Sequence, residues 1–457
     1  MKRITAESVS NMLGDWSSGA GSLPEKLARD IGELLVGSMI AADVFLPSQR
    51  DLASALGTSR TTVAGAYNIL ASKGLLDLRQ SARARTRGNP SGSGSSGRLS
   101  SFSTRTDSAI DLSSGSLPGS GQVTEAFLQL SEEDIASLIK GDGYLPFGLP
   151  NLRREIASDL TSRGIPTSSE QILVTSGSQQ ATLLCAMLFL SHGDTVLLED
   201  PTYRGAIEVF KSLGVDVVGI SMDENGAVSE HLSQLVRIKT PHAVYLQPTA
   251  HNPTGIVYSP SRFHEVAVVL KEHSIMLIED LCSADLLFGP HTGPVSFAKM
   301  VEKDRLLTIG TASKLWWGGL RVGWIRAVPA VIRSIAEIRK TVDLSGAPIE
   351  QMVCANLFPS ADQARSARQA ELRLSLASTM ELISELHPSW TVHVPKGGTG
   401  LWIDTHTDAT RLSQMAKRNG IQLVAGPAFS VYGGFESFIR LPIIHDAKEL
   451  RTALLHI

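Results

Sequence analysis

Residues 308–324 read TIGTASKLWWGGLRVGW, and this stretch decides how the larger part of the chain is read. The apolar run Leu306–Ile309 leads in like a strand, small residues follow, and Ser313-Lys314 comes where that strand would end. A bulky, glycine-bearing turn then leads to Arg321 and a second apolar run, Val322–Ile325. A lysine lifted off a strand end, among small side chains and two tryptophans, is partly desolvated. That lowers its pKa and makes its amine a usable nucleophile. The planar fork of Arg321 suits a phosphate. For either residue alone a solvated side chain in a loop is the simpler reading, so the rest of the chain decides.

Further short runs rich in Val, Ile and Leu lie at Ile172–Thr175, Thr195–Glu199, Val215–Ile220, Ala243–Gln247 and Ile275–Glu279. With the two above they make seven candidate strands. Between them, segments such as Gln179–Ser191 and Ser261–Glu272 have helical length and pattern. Strand alternating with helix predicts an α/β fold, a mainly parallel sheet covered on both faces. Ligands of such sheets lie beyond the carboxyl ends of the strands.

Four of those ends carry residues able to do chemistry. Ser176-Gly177-Ser178 opens a helix, where amides and hydroxyls make an anion site, although an ordinary N-cap fits equally well. Tyr203, in Asp200-Pro201-Thr202-Tyr203, offers a ring for stacking or for plain packing. Asn252, in His251-Asn252-Pro253-Thr254-Gly255, can donate to a phenolate oxygen or simply make a turn. Asp280 can pair with a pyridinium nitrogen or stand solvated. Together with Ser313, Lys314 and Arg321 they form a phosphate cradle, a stacking ring, an oxygen donor, a pyridinium partner and an amine. They come in chain order on successive strand ends. This is the set that pyridoxal 5'-phosphate (PLP) requires of a protein.

The chain has 457 residues, which predicts two or three domains, and its 42% hydrophobic and 19% charged composition is that of an ordinary soluble protein. A net charge of −3 excludes a uniformly basic nucleic-acid protein, but residues 1–90 carry eleven Lys/Arg against eight Asp/Glu. A locally basic N-terminal module is therefore open. Cys185, Cys282 and Cys354 are odd in number and widely spaced, with no disulfide or zinc pattern, which points to a reducing compartment. No apolar run approaches the ~20 residues of a membrane span. The start, MKRITAESVS, has no signal core, so a cytoplasmic protein is expected.

In the first ninety residues, Ser22-Leu23-Pro24-Glu25 reads as a capping box before a helix with Leu27, Ile31, Leu34 and Leu35 on one face. Ser48 caps a second helix and Gly57 ends it. Ser59 caps a third, Arg60–Lys73, with Val63, Ala66, Tyr67 and Leu70 facing in. Leu75–Leu78 then reads as a strand. Helix, glycine turn, helix and hairpin predict a winged helix-turn-helix. Ser59, Arg60, Thr61 and Thr62 would reach base edges, with Arg50 toward the phosphates and Arg83, Arg85 and Arg87 along a wing. The stretch LPSQRDLASALGTSRTTVAGAYNILASKGLL (residues 46–76) resembles the DNA-binding domain of the GntR family of bacterial regulators.

These readings give a head over residues 1–86, a Gly/Ser-rich linker over 87–109 and a large region over 110–457. The large region resembles the fold-type I PLP-dependent aminotransferases in DGYLPFGLPNLRREIA, TSGSQQAT, EDPTY, HNPTG, the acid of IED, TASKLWWGGLRVGW, PKGGTGLW and FIRLP. The resemblance implies a mainly parallel seven-stranded sheet with a smaller C-terminal α/β subdomain. It implies that Lys314 forms an internal aldimine, Asp280 pairs with the ring nitrogen, Asn252 contacts the ring oxygen and Tyr203 stacks on the ring. Ser176, Gly177, Ser178, Ser313 and Arg321 would hold the phosphate. Tyr144 would reach the phosphate of a neighbouring subunit, and Arg440 would bind the carboxylate of an amino compound. The family usually has a tyrosine three residues after the aspartate, where this chain has Ser283. That departure weakens the expectation of transamination more than that of cofactor binding.

Joined in one chain, the two parts resemble the MocR family of transcription regulators. The resemblance implies a homodimer on repeated sites in double-stranded DNA, hence association with the bacterial nucleoid. It implies regulation by PLP or an amino compound through Lys314. A working aminotransferase is the alternative.

Overall fold

The computed structural model describes residues 3–13, 16–17, 21–36, 40, 44–78, 84–86, 110–289, 296–444 and 446–457. The linker expected over 87–109 lies outside these residues, as do Arg83 and Arg87 of the expected wing. The chain divides into two compact units, Met1–Ser113 with Asp408–Leu423 and His456–Ile457, and Ser114–Thr407 with Val424–Leu455.

In the first unit, α1 (Ala6–Leu13), α2 (Leu23–Val36), α3 (Gln49–Ala55) and α4 (Arg60–Ser72) surround one apolar core. Leu27, Ile31, Leu34, Val63, Ala66, Tyr67 and Leu70 meet there, as the helical spacing predicts. The caps follow the sequence too. Ser48 accepts from the Asp51 N–H at 3.1 Å, and Ser59 from the Thr62 N–H at 3.0 Å. Glu25 accepts from the Ser22 backbone N–H at 2.9 Å. The buried Tyr67 hydroxyl donates to the Pro47 carbonyl at 3.0 Å, tying α4 to the entry of α3. β1 (Leu76–Asp77) and β2 (Arg85–Thr86) pair antiparallel as the wing. α1 was not legible in advance, yet its Val9 and Leu13 are buried in this core. A short strand, β3 (Ile110–Asp111), closes the first stretch of the unit.

The second unit is built on β4 (Ile172–Thr175), β5 (Thr195–Asp200), β6 (Asp216–Asp223), β7 (Gly226–Ala227), β8 (Ala243–Leu246), β9 (Met276–Asp280), β10 (Leu306–Thr311) and β11 (Gly323–Arg326). Their order is β4-β11-β10-β9-β8-β5-β6-β7. Seven are the expected strands, and the two-residue β7 adds an eighth at the edge. β11 runs antiparallel to β4 and β10, and β7 to β6, while all other pairs are parallel. Side chains alternate between faces. Val196, Leu198, Tyr245, Ile278 and Ile309 pack with Ala181 and Leu184 of the helix Ser178–Phe189. Leu197, Val244 and Leu277 pack with Phe263 and Val266 of the helix Pro260–Glu272. Each fully buried Leu, Ile or Phe stabilises the fold by roughly 1.5–3 kcal/mol relative to exposure. The result is a rigid platform whose carboxyl ends share one edge.

A smaller antiparallel sheet, β12 (Thr391–His393), β13 (Gly400–Asp404), β15 (Val424–Ala425) and β16 (Phe438–Pro442), has the order β12-β13-β16-β15. β14 (Ile421–Gln422), between β13 and β15 in sequence, belongs instead to the first unit, where it pairs in parallel with β3. No helix among the described residues is long and apolar enough to cross a membrane. Cys185, Cys282 and Cys354 are all free thiols.

Candidate functional site

The carboxyl ends of β4, β5, β8, β9 and β10 carry the residues expected there. Lys314, just past β10, is half-buried, and its Nζ donates to the Gly115 carbonyl at 3.0 Å. Burial lowers its pKa to about 8. The charge of Arg440 adds to that effect, and Cys282 and Asp280 oppose it. Asp280 ends β9, 5% exposed. Its Oδ2 accepts from the Tyr245 hydroxyl and from Gln247 Nε2 at 2.9 Å, and its Oδ1 from the Cys282 N–H at 2.8 Å. Asn252 follows β8, and its side-chain Oδ1 is buried without a hydrogen-bond partner. Asn252, Ser283, Lys314, Thr399 and Arg440 line one small cavity.

The phosphate-cradle residues converge on the start of the helix Ser178–Phe189. Gly177 caps it with φ 85°, and a Cβ there would lie 2.7 Å from Arg321 Nη2. Only glycine lets the guanidinium come that close. Arg321 is itself left-handed, φ 51°, and donates to the Ser176 carbonyl at 2.9 Å. The Ser313 N–H donates to Thr311 Oγ1 at 3.2 Å. The Ser176 N–H donates to Gln180 Oε1 at 2.8 Å, and its hydroxyl to Asp343 at 3.3 Å. Ser176 thus closes the cradle from behind. Tyr203 donates to Gln179 Oε1 at 3.2 Å, which fixes its ring beside the same helix. Tyr144 stands apart, 60% exposed on its loop.

Arg440 lies in the middle of β16, 6% exposed, and donates to Thr399 Oγ1 at 2.9 Å. No carboxylate among the described residues forms an ion pair with it. Burial lowers its pKa to about 10, and the charge of Arg204 adds to that effect. A Cβ on Gly115 would lie 2.1 Å from Arg440 Nη2, so Gly115 abuts the guanidinium while its carbonyl holds Lys314.

Several members of this site were not foreseen: Gly115, Tyr245, Gln247, Thr399 and a pair behind Asn252. In that pair, His251 Nε2 lies 3.5 Å from Glu199 Oε2. Burial pushes His251 down to about 3 and Glu199 up to about 8, so burial disfavours the charged form of each. The available signal was two polar groups, Tyr245 and Gln247, on alternate positions of a strand otherwise apolar. Gly115 and Thr399 had none.

In the head, Ser59, Arg60 and Thr61 are exposed at the N-terminus of α4, and Arg50 is exposed in the first turn of α3. Thr62 is not. It is 7% exposed, with its hydroxyl 2.8 Å from that of Ser59. It belongs to the capping turn and the core edge rather than to the reading surface.

A model of the aminotransferase class I and II family matches residues 107–457, and one of the gntR family of bacterial regulatory proteins matches residues 23–85. The HTH-type transcriptional regulator YdfD of Bacillus subtilis is 30% identical over 67% of this chain, and the match spans 63% of that relative. YisV, another HTH-type transcriptional regulator of Bacillus subtilis, is 26% identical over 90% of this chain and 88% of its own. The solved structure of LysN, the α-aminoadipate aminotransferase of Thermus thermophilus complexed with N-(5'-phosphopyridoxyl)-L-leucine, is similar in fold. Its TM-score is 0.68 at 24% identity, over 76% of this chain and 90% of that one. The chain belongs to the aminotransferase class I and II family and carries a GntR-type head, the pairing expected of the MocR type.

Proposed function

We propose that this protein is a PLP-dependent, DNA-binding transcription regulator, acting as a homodimer and responding to PLP or to an amino compound that carries a carboxylate. The observation that carries this reading is Arg440. It is a buried cation with no acid partner among the described residues, lining the same cavity as Lys314, in a chain that also holds a GntR-type head.

The residues fit the cofactor. Asn252 brings its side-chain amide to the cavity that Lys314 lines, and Gly177 leaves room for Arg321 at a helix N-terminus, where amides and positive charge favour a phosphate. When bound, PLP supplies an aldehyde that captures primary amines and a ring that withdraws electrons from them. Lys314 supplies the amine that holds it, and Asp280 faces the ring nitrogen. Asn252 donates to the ring oxygen, Tyr203 covers the ring, and Gly177, Ser178, Ser313 and Arg321 hold the phosphate. Ser176 orients that cradle through Arg321. Tyr144 serves the partner's site. Arg440 binds the effector carboxylate, a bidentate task for which its fork is shaped. Arg60 and Thr61 read base edges, while Arg50 and Ser59 lie toward the backbone. Regulation follows if the ligand binds two arrangements of the dimer with different affinity.

The test is DNA binding to the gene's own upstream region, with and without PLP, for wild type and Lys314→Ala at one stated salt concentration. Wild type is expected to bind specifically and to change affinity with PLP, and Lys314→Ala to bind without responding. Absence of specific binding by both proteins defeats the regulator reading. An identical response by both defeats the switch.

A second reading is a working aminotransferase, favoured by the presence of Lys314, Asp280 and Arg440 in one site. Sustained keto-acid formation from an amino donor at enzyme-like turnover would support it. Ser283 in place of the usual tyrosine argues for slow turnover.

A further inference from the structure

Gln247 is the first residue after β8, and it is 7% exposed. Its carboxamide faces two ways. Nε2 donates to Asp280 Oδ2 at 2.9 Å and lies 3.3 Å from the Tyr245 hydroxyl. Oε1 accepts from the Asn252 backbone N–H at 3.2 Å. The orientation of this amide is fixed by its partners. Turning it over would set a carbonyl against a carboxylate and an NH2 against an N–H, losing both bonds at once. Its main chain is pinned as well, since the Gln247 N–H donates to Glu199 Oε2 at 2.7 Å. The Tyr258 hydroxyl donates to the other oxygen of that fully buried acid at 2.6 Å.

We propose that Gln247 is a positioning residue for the cofactor, a single carboxamide that sets the acid meant for the ring nitrogen and the loop meant for the ring oxygen at a fixed separation. This rests on the PLP reading above. Asp280 and Asn252 come from different strand ends, β9 and β8, and the two ends of one side chain join them. Tyr245 supports the acid and the Gln247 amide but does not reach Asn252. Two donors on Oδ2 and one backbone donor on Oδ1 hold the carboxylate plane, and Oδ1, with a single donor, retains capacity for a further hydrogen bond. Gln247 itself touches no substrate atom, so its effect passes through Asp280 and Asn252.

The measurements are PLP affinity and the visible absorbance band of the bound cofactor, on the full-length chain. Gln247→Glu keeps the size and the acceptor toward Asn252 but turns a carboxylate on Asp280. Gln247→Leu removes both ties, and Tyr245→Phe removes one donor from Asp280 and one acceptor from Gln247 Nε2 while leaving both Gln247 ties in place. Both Gln247 variants are expected to lower PLP affinity by about 10-fold or more, the usual effect of removing a support from a liganding group. Both are expected to change the position or intensity of the band, while Tyr245→Phe alters the band with a smaller loss of affinity. Should Gln247→Leu fail to fold, judged by far-UV circular dichroism, the near-isosteric Gln247→Glu carries the test. Gln247→Glu with wild-type affinity and an unchanged band overturns the proposal. A wild-type chain that gives no band at all overturns the PLP reading instead, so the two failures are distinct.

Discussion

Lys314 holds an amine whose pKa is lowered to about 8, so its neutral, nucleophilic fraction grows as pH rises through that value and is small well below it. The rate of PLP capture by the cofactor-free chain, followed by absorbance, is expected to rise between pH 7 and 9 and then level off. Lys314→Ala should show no capture. Arg440 makes a second test, because a buried charge with no ion-pair partner among the described residues is costly. Arg440→Met is expected to raise the stability of the ligand-free chain by about 1 kcal/mol or more in chemical denaturation. It should abolish the response to a carboxylate effector, and it should move the midpoint of capture by Lys314 upward, since the Arg440 charge helps lower that pKa. At this scale the sequence is informative where a polar residue follows an apolar run, which is why Lys314, Asp280 and Asn252 stand out as candidates. It was misleading at Thr62, four residues before the buried Ala66 on the same helix face. It was silent at Gly115 and Thr399, whose roles come from chain segments distant in sequence meeting Arg440.

At the scale of elements, two helix N-termini carry the two activities. Gly177→Ala would force an L residue into a left-handed turn and press a methyl group against Arg321. Equilibrium dialysis of the variant should show PLP affinity reduced by about 10-fold or more, comparable to losing one charge-assisted hydrogen bond. In the head, Arg60→Ala should weaken specific binding by about 1–3 kcal/mol in a titration against operator and mismatched DNA, with little change in the melting of the protein. Ser59→Ala should do the reverse, costing the head about 1 kcal/mol by removing its cap on Thr62. The existence of most strands was readable from apolar runs, but their direction was not. Nothing in Val322–Ile325 states that β11 runs against its neighbours. That is settled by the short turn through Gly318–Leu320, which allows only a return alongside β10. α1 escaped because its eight residues, AESVSNML, offer too few apolar positions to establish a period.

At the scale of the molecule, Leu128 (81% exposed), Ile139 (72%) and Tyr144 are large apolar groups open to water on neighbouring stretches of chain. The helix Glu132–Ile139 buries none of its residues. Such a surface calls for a partner. If the proposed homodimer uses this surface, Leu128→Glu with Ile139→Lys is expected to slow the sedimentation of the protein from that of a dimer to that of a monomer, and unchanged dimer sedimentation of the double variant would exclude this surface as the contact. Lys314 rests on a main-chain oxygen of Gly115, and no substitution can delete a main-chain oxygen. The Arg440 seat, by contrast, is lost to a single methyl group at residue 115. Mutation therefore reaches the carboxylate seat easily and the resting place of the amine hardly at all. On the proposed regulator reading, a lineage built on this chain can exchange one signal molecule for another in few steps while its lysine stays in reserve.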